Sequence, residues 1–528
     1  MKKLFILFIL FVLQSCVSIQ KYNAQIYDPI SVKDIKEDIT FIHKKLNDYH
    51  PELHLYIDKV DLDRKFDSLS QSITEPLNSY EFYKKLVPVL NTVRQGHMHS
   101  IPRIKKNDKK EQKNLKSKGS GPISQFEFEI FDNQLFIVQN KSNHSEIAIG
   151  TEVLSINGLK AENLLNESRT LLVSDGFNET LIDHYLDETL FSNFTFKFGI
   201  QDSILYEFKW KDSLFTKTIK REKIIPIGGK KSDSIQKKWT DVQKDSIKNL
   251  KKFKNIHGFD EIKNRYNRNL SFKDQDSAIA VMTIHSFTLG DFKTFYNNSF
   301  QILSDKKTPY LIIDLRDNGG GRLSDCTELY SYLTKDSIFT MIDQQKVTKR
   351  TSMLHVPYLK GGSFLSKSLR APFAPIFYSV LYFKTQKNAS DEFFFSTKYS
   401  KPKLRKSTAY EGKVFVLING GSFSASSIIS SNLKGTERAF FVGEETGGAY
   451  NGTVAGTMPY FKLPHSKVEV RFGLQLIAPS EKTKIYGRGI FPNKTIKPIL
   501  QDRIENNDPE MNWIIETIKK EKTNQSPD

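Results

Sequence analysis

The stretch that most restricts how this chain can fold begins with the apolar run Val414-Phe415-Val416-Leu417-Ile418. Gly421-Ser422-Phe423-Ser424-Ala425-Ser426-Ser427 follows, and then Ile428-Ile429-Ser430-Ser431-Asn432-Leu433. The order predicts a strand, a tight turn of small residues and a helix. A serine in such a turn sits at a helix N-terminus, where outward-pointing N–H groups favour developing negative charge. Upstream, Leu311-Ile312-Ile313-Asp314-Leu315-Arg316 reads as a second buried strand that runs into Asn318-Gly319-Gly320-Gly321. A glycine loop beside a serine turn offers bare N–H donors for an oxyanion and room for a peptide backbone, as acyl transfer requires.

A chain of 528 residues predicts two to four domains. Its 38% hydrophobic and 26% charged content is that of a globular protein. The start is different in kind. Met1-Lys2-Lys3, an apolar run from Leu4 to Leu13 and then Gln14-Ser15-Cys16 form a secretory signal, too short to span a bilayer comfortably. Its end resembles a bacterial lipobox. That implies lipid on Cys16, removal of residues 1–15 and a place in the cell envelope; an ordinary signal or an uncleaved anchor is the alternative. With Cys16 acylated, the other cysteine, Cys326, has no disulfide partner, and its helical surroundings predict a buried structural thiol. The net charge of +18 suggests an anionic partner. Export argues against nucleic acid, and the lysines gather in two stretches, Arg103 to Lys118 and Lys230 to Lys254, that read as solvated loops or exposed helix faces. An anionic membrane surface is the remaining electrostatic partner.

The patterns predict a multidomain α+β chain. Residues 1–16 are the signal, and 17–110 an N-terminal helical segment that opens with a tether over 17–30. Ser31 can cap a helix in which Ile35, Ile39, Ile42 and Leu46 recur at helical spacing. Leu62, Phe66 and Leu69 continue the pattern, as do Tyr83, Leu86 and Leu90, until it breaks at Arg94-Gln95-Gly96-His97-Met98-His99. Residues 111–227 turn to short alternating strands, and Gly150-Thr151-Glu152-Val153-Leu154-Ser155-Ile156-Asn157-Gly158 resembles the strand and turn of PDZ domains. A PDZ-like β-rich module implies a peptide added at a sheet edge, and a plain packing module is the alternative. Residues 228–275 form a Lys-rich insert, whose Gly228-Gly229-Lys230-Lys231-Ser232 lacks the spacing of a phosphate loop. Residues 276–500 alternate strands and helices, which implies a mainly parallel sheet. An excursion over 338–411 separates the glycine loop from the serine turn and is rich in aromatics, among them Phe373, Phe377, Tyr382 and Phe383, expected mostly to pack on one another. Residues 501–528 read as a C-terminal helix and tail.

Several motifs together resemble the C-terminal processing peptidases, or tail-specific proteases. They are Asp314-Leu315-Arg316-Asp317-Asn318-Gly319-Gly320-Gly321, Ser422-Phe423-Ser424-Ala425-Ser426, Val442-Gly443-Glu444-Glu445-Thr446-Gly447-Gly448 and Gly489-Ile490-Phe491-Pro492-Asn493. The resemblance implies a crotonase-like α/β core, a serine-type peptidase acting on peptides or proteins, and no cofactor or metal. It places the nucleophile on Ser424, with Ser422, Ser426 and Ser427 structural or capping, and the oxyanion donors on Gly319, Gly320 and Ala425. Many members use a lysine base, but that position is Ala449 here, and no lysine lies between Lys434 and Lys462. A branch similar to the tricorn core uses a histidine after a glycine, which Gly96-His97 fits. His97 is then the base, since an imidazole works without the deep burial a lysine needs. His99 would share its face in a strand and is a second candidate base or partner; His285 is expected to pack. The group that orients the base is unassigned: Tyr486 and Gly487 stand near the branch's glutamate position, and Glu445 or Glu444 is either a substitute or half of a structural ion pair. The expected function is an exported, membrane-tethered serine endopeptidase working through an acyl-enzyme. The alternative is a catalytically degenerate peptide- or protein-binding lipoprotein of the same fold.

Overall fold

The structure, a computed structural model, describes residues 19–224 and 241–525. The lipobox with Cys16 and the segment Gly228–Ser232 lie outside the described residues. A short helix α1 (Ile19–Ala24) stands where a tether was expected. The Arg103 guanidinium holds it there, donating to the carbonyls of Tyr22 at 3.1 Å and Gln25 at 3.2 Å. Helices α2 (Val32–Tyr49), α3 (Lys59–Ser72) and α4 (Ser79–Asn91) follow. Ser31 Oγ accepts from Asp34 N at the start of α2, and Asn78 forms a capping box with Glu81 at the start of α4. Their apolar stripes, including Ile35, Ile42, Leu62, Phe66, Phe82 and Leu90, close on one another in one core. After the break, β1 (His99–Ile101) begins at His99, so the period-two expectation that His97 and His99 share a face does not apply: His97 sits in the preceding turn. The exposed helix α5 (Lys109–Lys118) buries no residue and carries the first lysine cluster.

The β-rich module is a sheet of β2 (Phe126–Phe131), β3 (Gln134–Asn140), β4 (Glu152–Ile156), β5 (Ser203–Trp210) and β6 (Ser213–Lys220), paired antiparallel in that order. Between β4 and β5 the chain forms helices α6 (Ala161–Thr170) and α7 (Thr180–Phe198), in a stretch that reads from sequence as short strands. Leu164, Leu165, Leu186, Leu190 and Phe194 cover one face of the sheet.

After α8 (Asp241–His257) comes the central sheet. Its strands are β7 (Arg268–Phe272), β8 (Ile279–Ile284), β9 (Tyr310–Asp314), β10 (Lys413–Ile418), β11 (Phe440–Gly443) and a short last strand at Lys494–Thr495. β7 is antiparallel to β8, and all later pairs are parallel. The strands are apolar on both faces, so both need cover. Ala280, Met282, Leu311, Ile313, Val414 and Val416 face helices α9 (Phe292–Asp305), α10 (Leu323–Leu333) and α13 (Ala425–Gly435). Val281, Ile312, Phe415 and Val442 face the C-terminal helix α14 (Pro509–Gln525) through Met511, Ile514 and Ile518. Cys326 lies fully buried on α10, as a structural thiol. The excursion carries helices α11 (Phe364–Arg370) and α12 (Ala374–Lys384), in which no residue is buried. Its rings therefore do not simply pack on one another: Phe373 and Phe383 are exposed. The loops after β9, β10 and β11 all leave the same C-terminal edge of the sheet, where open α/β sheets hold their ligands.

Candidate active site

β10 ends at Ile418, and the turn Asn419–Phe423 delivers Ser424 to the first residue before α13. The turn is bound to the glycine loop after β9. Ser422 Oγ donates to Leu315 O at 2.7 Å, Phe423 N to Asn318 O at 3.0 Å, and Asn419 Nδ2 to Asp317 Oδ1 at 2.7 Å. Ser422 is thus structural, as is Ser427, whose hydroxyl donates to Ser422 O at 3.1 Å. Ser424 is different. It occupies the N-cap position but makes no capping hydrogen bond, and its backbone lies at φ 58° and ψ −121°. A non-glycine residue held there marks a strained turn. The strain aims the hydroxyl away from its own helix and into contact with a ring: Ser424 Oγ lies 3.1 Å from His97 Nε2.

His97 arrives from a different part of the chain. A turn from Gln95 to Met98 presents it, with Met98 N donating to Gln95 O at 2.9 Å and Met98 anchored in the N-terminal core. Gln95 Oε1 accepts from Val454 N at 3.2 Å and ties this turn to β12 (Thr453–Ala455). The imidazole is buried against the Phe423 ring, centroids 4.5 Å apart. Burial pushes its pKa down to about 3, with the Arg471 charge a smaller contribution in the same direction.

The second ring nitrogen leads to a threonine and a buried carboxylate that the motifs do not single out. His97 Nδ1 lies 3.0 Å from Thr453 Oγ1, and Thr453 Oγ1 donates to Asp175 Oδ1 at 3.1 Å. Asp175 is fully buried in the loop between α6 and α7. Its carboxylate also accepts from Gly96 N at 2.7 Å and from Ala449 N at 3.4 Å. Burial raises its pKa to about 6 against the lowering effect of these three donors. The threonine has one proton, which it gives to Asp175, so it must accept from Nδ1–H. That fixes the tautomer with Nε2 unprotonated and facing Ser424. Ala449, where a lysine base would stand, instead contributes its backbone N–H to Asp175.

The remaining candidates separate clearly. His99 is exposed on β1, opposite Arg471 in the strand register. Glu445 is bound to Arg488, with Nε at 3.0 Å and Nη2 at 2.5 Å, and accepts from Gly489 N at 2.7 Å; it is a structural ion pair and does not reach His97. Glu444 has its carboxyl pKa raised by burial and makes no hydrogen bond to the imidazole. His285 is half-buried at the end of β8, outside the pair. Among the oxyanion candidates, Gly320 N already donates to Asn318 Oδ1 at 2.9 Å. Gly320 acts by lacking a side chain, since a Cβ there would lie 2.7 Å from Ser424 Cβ and 2.8 Å from Ala425 N. Ala425 N, at the first position of α13, has no carbonyl to reach within its helix. α7 borders the same loop, with the Tyr185 hydroxyl 3.2 Å from where a Gly319 Cβ would be.

Residues 278–496 match the family model described as peptidase family S41. This stretch is a family S41 domain. Family S41 is the serine-type family that the motifs resemble, so the chain carries a serine-type peptidase domain. Among solved structures, mature CPAF complexed with lactacystin is similar in fold at 16% identity and a TM-score of 0.59, covering 94% of this chain and 99% of that one. A crystal structure of mature CPAF is similar at 16% identity and a TM-score of 0.53, covering 90% of this chain and 94% of that one. Both likenesses are of fold, and they extend well beyond the S41 domain into the N-terminal segments that hold His97 and Asp175. No curated protein matches the chain.

Proposed function

We propose that the chain is an exported, membrane-tethered serine endopeptidase that cuts peptide bonds through an acyl-enzyme on Ser424. The observation that carries this reading is the 3.1 Å contact between an uncapped, strained Ser424 hydroxyl and the unprotonated nitrogen of His97. A serine hydroxyl attacks only when a positioned base takes its proton. Here Nε2 takes it as Oγ bonds to the substrate carbonyl carbon. The Nδ1–H bond to Thr453, backed by the Asp175 carboxylate, holds the ring and stabilises the imidazolium that forms. The Ala425 N–H, with Gly319 N–H from the facing loop, receives the oxyanion. His97 then returns its proton to the leaving amine, and water repeats the sequence to release the acyl group. A buried imidazole with a depressed pKa is a reluctant base and a ready acid, so the nearby carboxylate is what makes the first proton transfer affordable. Lipid on Cys16 would keep the enzyme at the cell envelope.

The test is covalent. A fluorophosphonate should add one adduct to the purified protein, located by peptide mass spectrometry on Ser424. Ser424→Ala should take up none, and His97→Ala should react far more slowly. Unlabelled wild-type protein, or a Ser424→Ala variant labelled as well as wild type, would leave the degenerate, binding-only reading in its place.

A further inference from the structure

The excursion places an apolar surface on the outside of the molecule. α12 is apolar on two sides. Its inner stripe packs: Phe377 stacks on Tyr358 at 4.4 Å, the Tyr378 hydroxyl donates to Val356 O at 2.9 Å, and Leu381 lies against Val347, Met353 and Phe395. Its outer stripe, Phe373, Ile376, Val380 and Phe383, recurs at helical spacing and is left open by the described residues; the four are 59%, 64%, 47% and 73% exposed. α11, joined to it through the turn Ala371–Phe373, adds Phe364 at 87%, Leu365 at 69% and Leu369 at 65%. A helix apolar all round is ordinarily a buried one. Seven large apolar side chains in twenty residues exceed the scattered exposure normal for a surface.

Charge decides what covers them. Residues 344–390 contain eight Lys and Arg and no Asp or Glu. Lys346, Lys349 and Lys387 are paired to acids. Lys360, Lys367, Arg370 and Lys384 make no ion pair among the described residues; Lys360, Lys367 and Lys384 are exposed, and Arg370 is half-buried, donating to the carbonyls of Tyr358 at 3.2 Å and Gly361 at 2.8 Å. A second copy docked through the same face would set these cations against their own equivalents. An anionic surface complements them. α12 has 11 residues, about 16 Å of helix against about 30 Å of bilayer core, so it lies along an interface and does not cross it. We infer that α11 and α12 form an interfacial foot that inserts Phe364, Leu365, Leu369, Phe373, Ile376, Val380 and Phe383 into an anionic lipid surface, with Lys360, Lys367, Arg370 and Lys384 at the headgroups. The foot is independent of lipid on Cys16 and of the chemistry at Ser424.

The experiment uses the chain from Val17 onward, which keeps every described residue and removes the signal and Cys16. It is sedimented with vesicles of phosphatidylglycerol and phosphatidylethanolamine, and with vesicles of phosphatidylcholine. The expected result is binding to the anionic vesicles that weakens as salt rises. The variant carrying Phe364→Ser, Ile376→Ser and Phe383→Ser should bind at least about tenfold more weakly. Lys367→Glu with Lys384→Glu should weaken binding by about fivefold or more per site. Both variants should unfold at the wild-type temperature, since none of the five side chains is buried. Absence of binding, or binding that these substitutions leave unchanged, overturns the inference. So does a dimer in analytical ultracentrifugation that the apolar variant dissolves, which would assign the face to a second copy.

Discussion

Ser424 is held where ordinary side chains are not, at φ 58° and ψ −121°. Such a conformation costs about 1–3 kcal/mol, and glycine escapes most of it. Ser424→Gly is therefore expected to be more stable than Ser424→Ala by about 1–2 kcal/mol in urea unfolding, with both inactive; equal stabilities would show that the turn stores no strain. Gly320 is constrained from the other side. A methyl group there meets Ser424 and Ala425, so Gly320→Ala should lower kcat/KM by at least about 10²-fold while the protein stays folded. Asp175 sets the pH response. Its folded pKa is raised to about 6, so the carboxylate that backs Thr453 is present above that pH and lost as pH falls through it. The acid limb of kcat/KM should have its midpoint near pH 6, and Asp175→Asn should lose that limb and run about 10²-fold or more slower across the range. An unchanged limb in Asp175→Asn would place the titration elsewhere. Ser424 stands out in the sequence because a strand, a small-residue turn and a helix are adjacent there, and His97 because Gly96-His97 resembles a motif of the tricorn-like branch; the structure brings the two within 3.1 Å. Asp175 does not stand out. Asp175-Gly176 reads as an ordinary turn, and only folding brings it the N–H of Gly96, the N–H of Ala449 and the hydroxyl of Thr453.

Strands and helices followed the same division. Where burial imposes a pattern on contiguous residues, as in β8, β9, β10 and the helices of the N-terminal core, the elements lie where the periodicity puts them. α7 hid because its apolar residues form no single stripe: it is packed on several sides, and its Thr, Ile, Tyr and Phe residues favour strands when read alone. That helix and the loop before it matter for the site. Phe177 N donates to Gly487 O at 2.7 Å, Gly176 N to Arg94 O at 2.9 Å, and Asn178 Nδ2 to Thr446 O at 2.9 Å. The loop is thereby fixed to the two other parts of the site. A Cβ on Gly176, at φ 66°, would lie 2.4 Å from Gly487 O, a backbone atom that cannot step aside cheaply. Gly176→Ala should displace the loop, lower kcat/KM by at least about tenfold and erase the acid limb near pH 6, while leaving Ser424 and His97 untouched. Full activity in that variant would mean that the loop merely packs.

In the whole molecule the site is assembled from three stretches far apart in sequence. His97 comes from the end of the N-terminal helical segment, Asp175 from the β-rich module, and Thr453 and Ser424 from the S41 domain. The domain matched by the family model carries Ser424 but neither His97 nor Asp175. Proteolytic function on this reading belongs to the complete arrangement and not to the α/β core alone. The decisive measurement is kcat/KM toward a fluorogenic peptide for Ser424→Ala, His97→Ala and the two combined. Groups that act as one unit give losses that do not add: each single variant should lose about 10⁴-fold or more, and the double variant no more than the worse single. Losses that multiply, or a His97→Ala enzyme close to wild type, would contradict the pairing of these two side chains.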